Sequence, residues 1–587
     1  MSQPSSAASS SMSWTEKMAL FALRGAASHR EAPRPFATPT TPASAYSPSP
    51  ASAVPLLRLN TAAAAVAVAR GQDGQHGGDW KPERKHWLIM ISLSFISFVV
   101  SLDATILVTA LPEISRSLHG SAAETFWTGT SYLLTSAVFQ PVIAGASHCF
   151  GRQQQLVMSL VLFTFGTALC AVAHDFTVML IGRCVQGVGG GGIIAMTQVI
   201  FCDMIPLRQQ PRYFSMVLAS WSVGSIIGPV VGGSLVETAS WRWCFHINFP
   251  FCFLGLVAAE FFIHDSDFSF EARPRRMDWL GALLFVGSAT SLLVGVSWGG
   301  TQYPWTSAAT LAPSIVGALG CAAFVAWQMH TRPNSLLPTS LFYNASAIAA
   351  FYCALVNGFI LYTALYYVPF YLMSVRSTSP VRAGIDLFPA VCLLVPGSVV
   401  VAMLTSRLGH FRWAIWLGLV VATVGCGLFI LFDERTAKAV FAVALAVFGV
   451  GNGMVLTGVN VGTQAIAKAE DRPMAACMYG FMRSLGMPVG VALAGAIFQN
   501  AMSSALSESG LPTGIARDSE RFVFVLQAMP DEDPRKVTLL ACYSEGFRKV
   551  FIAMTVISAS ALLASSAIRK FGMDAVLPVP ARARTRS

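Results

Sequence analysis

Trp87-Leu-Ile-Met-Ile-Ser-Leu-Ser-Phe-Ile-Ser-Phe-Val-Val-Ser-Leu-Asp-Ala-Thr-Ile-Leu-Val-Thr-Ala-Leu-Pro112 sets the class of this chain. A helix rises about 1.5 Å per residue, so roughly twenty residues cross a hydrocarbon layer of about 30 Å. This stretch is long enough, and a single carboxylate interrupts it. Thirteen further apolar runs follow, divided by short polar turns. The fourteen spans read as 88–110, 125–146, 154–173, 177–200, 213–236, 243–263, 279–298, 308–328, 346–372, 383–405, 413–432, 438–463, 474–500 and 547–567. The fold class is an all-α, polytopic membrane protein.

Composition agrees, because 54% of the 587 residues are hydrophobic and 12% are charged, about half the charged share of soluble domains. The formal net charge of +10 lies mostly in short loops and tails, not in one basic stripe with interleaved aromatics. Nucleic acid is therefore not a partner. Positive charge is retained on the cytosolic side of a membrane. Placing both termini there gathers Arg152, Arg208, Arg212, Arg273, Arg275, Arg276, Arg332, Arg407, Arg412, Lys468 and Arg472 inside, and leaves only Arg116, Arg242, Arg376, Arg382, Arg435 and Lys438 outside.

The expected organisation is a disordered cytosolic tail over 1–83, six spans over 84–264, two inserted spans over 265–345, six spans over 346–567 with an outer loop at 501–546, and a cytosolic tail over 568–587. The first tail is rich in Ser, Ala and Pro. Its apolar patch within Trp14–Arg24 is too short to span and lacks a cleavage site. The glycosylation triplet Asn344-Ala-Ser346 falls inside and should stay unmodified. The twelve cysteines are scattered without paired spacing and read as apolar filler, with Cys542 alone in the outer loop.

Asp103 is the first residue with chemistry to explain, because a carboxylate below the membrane surface must be paired, hydrated or protonated. It lies roughly 10 Å from the outer end of its span, and Arg183 in the fourth span lies roughly 9 Å deep from the same side. Opposite charges at matched depth suggest a pair. Desolvation and a neighbouring guanidinium act oppositely on carboxylate protonation, so motion that parts them changes proton affinity. A static bridge fixing two helices is the alternative. In the fifth span Gly224, Gly228 and Gly232 share one face, with Pro229 and Gly233 beside them. Taken alone, they indicate close helix packing and a bend, as does Gly189-Gly-Gly-Gly192 in the fourth.

Four segments together resemble the fourteen-span drug:proton antiporter branch of the major facilitator superfamily: Leu102 to Pro112, Gly182-Arg-Cys-Val-Gln-Gly187, Gly228-Pro-Val-Val-Gly-Gly233 and Trp241-Arg-Trp-Cys-Phe-His-Ile-Asn-Phe-Pro250. The resemblance covers about residues 84–567. It implies two six-helix bundles plus two inserted helices, a coupling role for Asp103 and Arg183, and an antiporter motif at Gly224, Gly228, Pro229, Gly232 and Gly233. One motif departs from the family pattern. Its acid and first basic residue, after the second span, are replaced by His148 and Cys149, while Gly151 and Arg152 remain. The acid contact that latches the halves is thereby in doubt, and His148 is either a pH-sensitive substitute or a plain loop histidine.

Trp221, Asn357, Tyr362, Tyr366, Asn452 and Asn460 mix aromatic surface with hydrogen-bonding tips and form the candidate substrate cavity. Arg483, about 13 Å from the cytosolic face by helical rise, needs an acceptor, either helix-end carbonyls or an unidentified acid. By resemblance to fungal members, the expected activity is proton-coupled export of drugs, toxins or secondary metabolites by alternating access. The alternative is a vacuolar or plasma-membrane carrier of basic amino acids or chelated iron. Cationic cargo would want further deep acids, and Glu260 and Asp386 lie near span ends. No metal-type cluster, Ser-Lys pair or paired aspartates suggest an enzyme. The expected partners are a small-molecule substrate, protons and the lipid bilayer, with no cofactor and no metal. The unit is read as a monomer of the plasma membrane, with the vacuolar membrane as alternative.

Overall fold

The computed structural model describes residues 81–119, 122–264, 277–299, 303–331, 336–433, 436–517, 519–530 and 533–573. The tail over 1–79, with its patch at Trp14–Arg24, lies outside the described residues, as do Arg273, Arg275, Arg276, Arg332, Arg435 and the basic C-terminal end. Fourteen helices are long and apolar enough to cross a membrane. They are α1 (Arg84–Ser117), α2 (Ala122–Phe150), α3 (Arg152–Ala171), α4 (Phe176–Met204) and α5 (Gln210–Thr238); α6 (Trp243–Phe262), α7 (Trp279–Trp298), α8 (Ala308–His330), α9 (Ala345–Ser374) and α10 (Phe388–Leu408); and α11 (Arg412–Phe429), α12 (Lys438–Ile466), α13 (Arg472–Glu508) and α14 (Pro534–Ser565).

Small residues set how closely these helices approach, since van der Waals packing rather than hydrophobic burial holds membrane helices together. A Cβ at Gly224 would sit 2.8 Å from the Phe98 carbonyl oxygen, and one at Gly228 would meet the Thr105 side chain and lie 3.0 Å from the Ile106 nitrogen. The glycine face of α5 is thus a seam against α1. Polar groups stitch the seam. Ser101 Oγ donates to the Trp221 carbonyl at 2.5 Å and lies 2.8 Å from Ser225 Oγ, and Thr105 Oγ1 donates to the Gly224 carbonyl at 3.3 Å.

The same seam recurs between α13 and α9. A Cβ at Gly486 would meet the Leu355 carbonyl and lie 2.9 Å from the Phe359 nitrogen, and one at Gly490 would lie 2.7 Å from the Phe359 oxygen. Likewise the glycines of α4 abut α2 and α3, with Gly191 against Ser136 and Gly189 against Phe163. Those of α12 abut α10 and α11, with Gly453 against Leu394 and Gly451 against Ala422. Each half is therefore wedged by one glycine-rich helix and closed by another.

Helices α7 and α8 form a hairpin. A Cβ at Gly317 would lie 2.6 Å from the Leu292 Cα, and Asp278 caps α7 by accepting from Gly281 N at 2.8 Å while also accepting from Trp327 Nε1 and Gln328 Nε2 of α8. The hairpin packs on both halves. Phe285 lies 5.2 Å from Phe481 of α13, and buried Ala289 and Leu293 cluster with Leu134 and Val138 of α2.

The 501–546 segment differs from the expected loop. Helix α13 continues to Glu508, short helices span Gly514–Arg517 and Ser519–Ala528, and α14 begins at Pro534. Its first turns carry Arg535, Lys536 and Glu545, which depress hydropathy, yet Leu539, Cys542, Tyr543 and Phe547 recur at helical spacing and are buried. Cys542 accordingly sits inside a helix, 3.9 Å from Ser509 Oγ, and not in a loop.

Candidate functional site

Asp103 is buried in α1 with three side-chain donors around its carboxylate. Its Oδ2 accepts from Arg183 Nη1 at 3.0 Å, and its Oδ1 accepts from Gln186 Nε2 at 2.9 Å and from Asn248 Nδ2 at 2.7 Å. The two charged side chains are each 1% exposed. Arg183 Nε donates to the Thr128 carbonyl at 3.0 Å, its Nη1 also reaches Gln186 Oε1 at 2.6 Å, and its guanidinium lies 4.4 Å from the centre of the Tyr132 ring. Gln186 completes the network by donating to Thr167 Oγ1 at 2.8 Å.

Local sequence explains how five helices deliver these groups. Arg183 and Gln186 are three apart and so share a face of α4. The glycines around them admit α2 and α3 closely enough for the Thr128 carbonyl and Thr167 hydroxyl to reach. Asn248 stands where α6 breaks after His246 and resumes, ahead of Pro250, which lacks a backbone donor. The arrangement is a desolvated carboxylate with a fixed cation and two amide donors, an environment in which adding or removing one proton rebalances several hydrogen bonds.

Gln186, Asn248, Thr167 and Tyr132 join the two residues that sequence reasoning singled out. Gln186 and Asn248 fall within the quoted motifs, but nothing in their local patterns shows which distant carboxylate they serve. Replacing Asn248 by Leu leaves one lone-pair site of Asp103 without its donor, and should lower thermal stability by about 1–3 kcal/mol, read from the unfolding midpoint of the purified protein. An unchanged midpoint would remove Asn248 from the network.

The motif after α2 is also resolved. Gly151, at φ +99°, is the single joint between α2 and α3, a conformation that disfavours a side chain. Arg152 is buried, donates to Asp203 Oδ2 at 2.9 Å and contacts Ser147 Oγ. Arg152 thus finds its acid in Asp203, from the end of α4 in the same half. His148 is half-buried in the last turn of α2.

The halves are joined at this end through Arg208. Its Nε donates to the Ser406 carbonyl at 3.2 Å and its Nη2 to the Arg407 carbonyl at 3.3 Å, at the end of α10 where carbonyls lack helical partners and the dipole favours a cation. Gly409 turns the chain away at φ +68°. Gln140 and Cys477, and Cys202 and Gln464, bond across the same region. Arg208→Ala should speed amide hydrogen exchange in the last turn of α10 by about 10-fold; equal exchange would show that this contact does not hold the halves.

The cavity candidates are only partly brought together. Asn357 Nδ2 donates to Asn452 Oδ1 at 3.1 Å, Asn452 Nδ2 donates to the Phe448 carbonyl at 2.9 Å, and Asn357 Oδ1 is left without a partner. Tyr362 of α9 and Arg483 of α13 are within Coulombic reach of one another. Trp221 is half-buried and contributes its carbonyl to the α1 seam, Asn460 accepts from Gln464 at 2.9 Å, and Tyr366 is exposed with its ring 5.2 Å from Tyr367. Among the described residues no group of His, Cys, Asp and Glu is arranged to hold a metal ion.

The profile of the Major Facilitator Superfamily matches residues 93–491. The chain belongs to the major facilitator superfamily. It is 40% identical over 490 residues to MFS transporter L2 of Phoma sp., covering 82% of each chain. It is 32% identical to efflux pump FUS6 of Gibberella fujikuroi, over 80% of this chain and 86% of that one, and 32% identical to the MFS-type efflux pump LUC4 of Fusarium sp., over 80% and 85%. In fold it is similar to the crystal structure of the human organic anion transporter MFSD10 (TETRAN), with a TM-score of 0.53 at 14% identity, covering 83% of this chain and all of that one. This facilitator is thus a multi-pass membrane transporter.

Proposed function

We propose that this facilitator is a proton-coupled exporter of lipophilic or amphipathic small molecules, with both termini cytosolic and the plasma membrane as its site. The observation that carries the reading is the buried Asp103 carboxylate, held by Arg183, Gln186 and Asn248 from two other helices. A proton on Asp103 cancels its charge and releases part of its hold on Arg183. The guanidinium then depends on the Thr128 carbonyl, Gln186 and the Tyr132 ring, and the balance between α1 and α4 changes. Because α5 is fastened to α1 along the Gly224–Gly228 seam, displacement of α1 carries α5 with it, and α5 faces α10 of the other half. Relatives named efflux pumps support the outward direction.

Cationic cargo is disfavoured, since Asp103 and Asp203 are each already matched by an arginine. The test is efflux of a labelled panel of lipophilic compounds from sealed vesicles with an imposed pH gradient. The expected result is gradient-dependent export that stops when the gradient is collapsed. Uptake in place of export, or indifference to the gradient, would overturn the proposal.

A further inference from the structure

Arg483 is the one deep arginine of the pair Arg183 and Arg483 that has no carboxylate against it among the described residues. It stands eleven positions into α13, about 16 Å along the helix and near the membrane midplane. Its Nε is buried without a hydrogen-bond partner. The tyrosines Tyr362 and Tyr479 lie within Coulombic reach, and the Tyr479 hydroxyl is already donating to the Leu456 carbonyl at 2.9 Å. Of the deeply buried arginines, Arg183 is matched by Asp103 and Arg152 by Asp203. Arg412 and Arg472, like Arg483, keep a buried Nε without a partner, but they start their helices, outside the span interior. An uncompensated cation in low dielectric is costly and usually functional.

The position is rigid. A Cβ at Gly358 would run into the Arg483 carbonyl, so α9 and α13 touch backbone to backbone there. Tyr362, four residues on from Gly358, shares that face of α9. From the other half, Tyr132 of α2 lies within Coulombic reach of Tyr362, and its buried hydroxyl has no partner. One aromatic side chain from each half thus accompanies each arginine, Tyr132 with Arg183 at 4.4 Å and Tyr362 with Arg483. Such a site suits a molecule with an apolar or aromatic body and one anionic group.

We propose that Arg483 is the counter-charge for an acidic group on the cargo, so that the transported molecules are amphipathic anions such as lipophilic carboxylates, with Tyr132 and Tyr362 holding the body. The proposal rests on the transport reading and names the substrate class of that site.

Equilibrium binding tests it without a pH gradient, so its failure is separable from failure of coupled export. The full chain in phosphatidylcholine nanodiscs, which supply no anionic lipid headgroup, is titrated with acid and amide pairs on one scaffold: pyrenebutyrate against pyrenebutyramide, and naphthylacetate against naphthylacetamide. Quenching of protein fluorescence reports binding. The acid of each pair should bind about 10-fold more tightly than its amide. Arg483→Gln should abolish that preference, and Arg483→Lys should retain part of it. Equal binding of acid and amide by the unmodified protein overturns the proposal, and this comparison stands even if Arg483→Gln does not fold. A preference that survives Arg483→Gln overturns it as well.

Discussion

Asp103→Asn should reduce pH-gradient-driven export by about 100-fold and lower the stability of the protein by about 3–5 kcal/mol. The two effects have different physical origins. Stability falls because Arg183 keeps its charge in a site where the carboxylate was its ion-pair partner, 3.0 Å away. Export falls because an amide cannot exchange a proton. Adding Arg183→Gln separates them: with both charges removed, most of the lost stability should return, while gradient-driven export stays at its reduced level. Unfolding midpoints and vesicle efflux, measured on the same preparations, read the two quantities. Should Asp103→Asn leave gradient-driven export intact, the carboxylate is a structural bridge and the coupling group lies elsewhere.

Gly228→Val and Gly486→Val should each eliminate transport, by misassembly and not by altered chemistry. At Gly228 a side chain would enter the space of Thr105 and the Ile106 backbone, and at Gly486 that of the Leu355 and Phe359 backbone. Backbone cannot yield as a flexible side chain can, and overpacking of this kind costs about 1–3 kcal/mol or more. Gly233 supplies a control within the same motif, because nothing lies within 4 Å of a Cβ there. Gly233→Val should change stability by no more than about 0.5 kcal/mol and leave transport in place. Loss of transport in a well-folded Gly233→Val protein would mean that the motif acts by something other than close approach to α1.

The fourteen crossings are legible in sequence because each must be apolar along most of its length, whatever it packs against. Matched depth of Asp103 and Arg183 is legible for a similar reason, since helical rise alone fixes it. Their neighbours are not legible. Asn248 reaches Asp103 across 145 residues of chain, and Gln186 across 83, so only the packing of α1, α4 and α6 identifies the carboxylate they share. Asp203 is hidden in the same way, a charge at a helix end whose partner Arg152 is 51 residues away. The start of α14 escapes an apolar-run reading because Arg535, Lys536 and Glu545 interrupt it, although a buried face keeps the helical period through Leu539, Cys542 and Tyr543. Lys536 is itself buried, with its Nζ donating to the Met529 carbonyl. Cargo-facing groups are the least legible, since Tyr362 or Asn357 in isolation reads as ordinary helix packing.

The α7–α8 hairpin makes the two flanks of the transporter unequal. Ala289 and Leu293 of α7, with Leu485 and Val489 of α13 and Leu134 and Val138 of α2, fill one junction between the halves with hydrocarbon. At the opposite junction, Val223, Ile227 and Val230 of α5 and Val400, Met403 and Leu404 of α10 are left exposed. The hairpin thus sheathes one flank in a second layer of helix, while on the other flank the junction of α5 and α10 itself forms the outer surface.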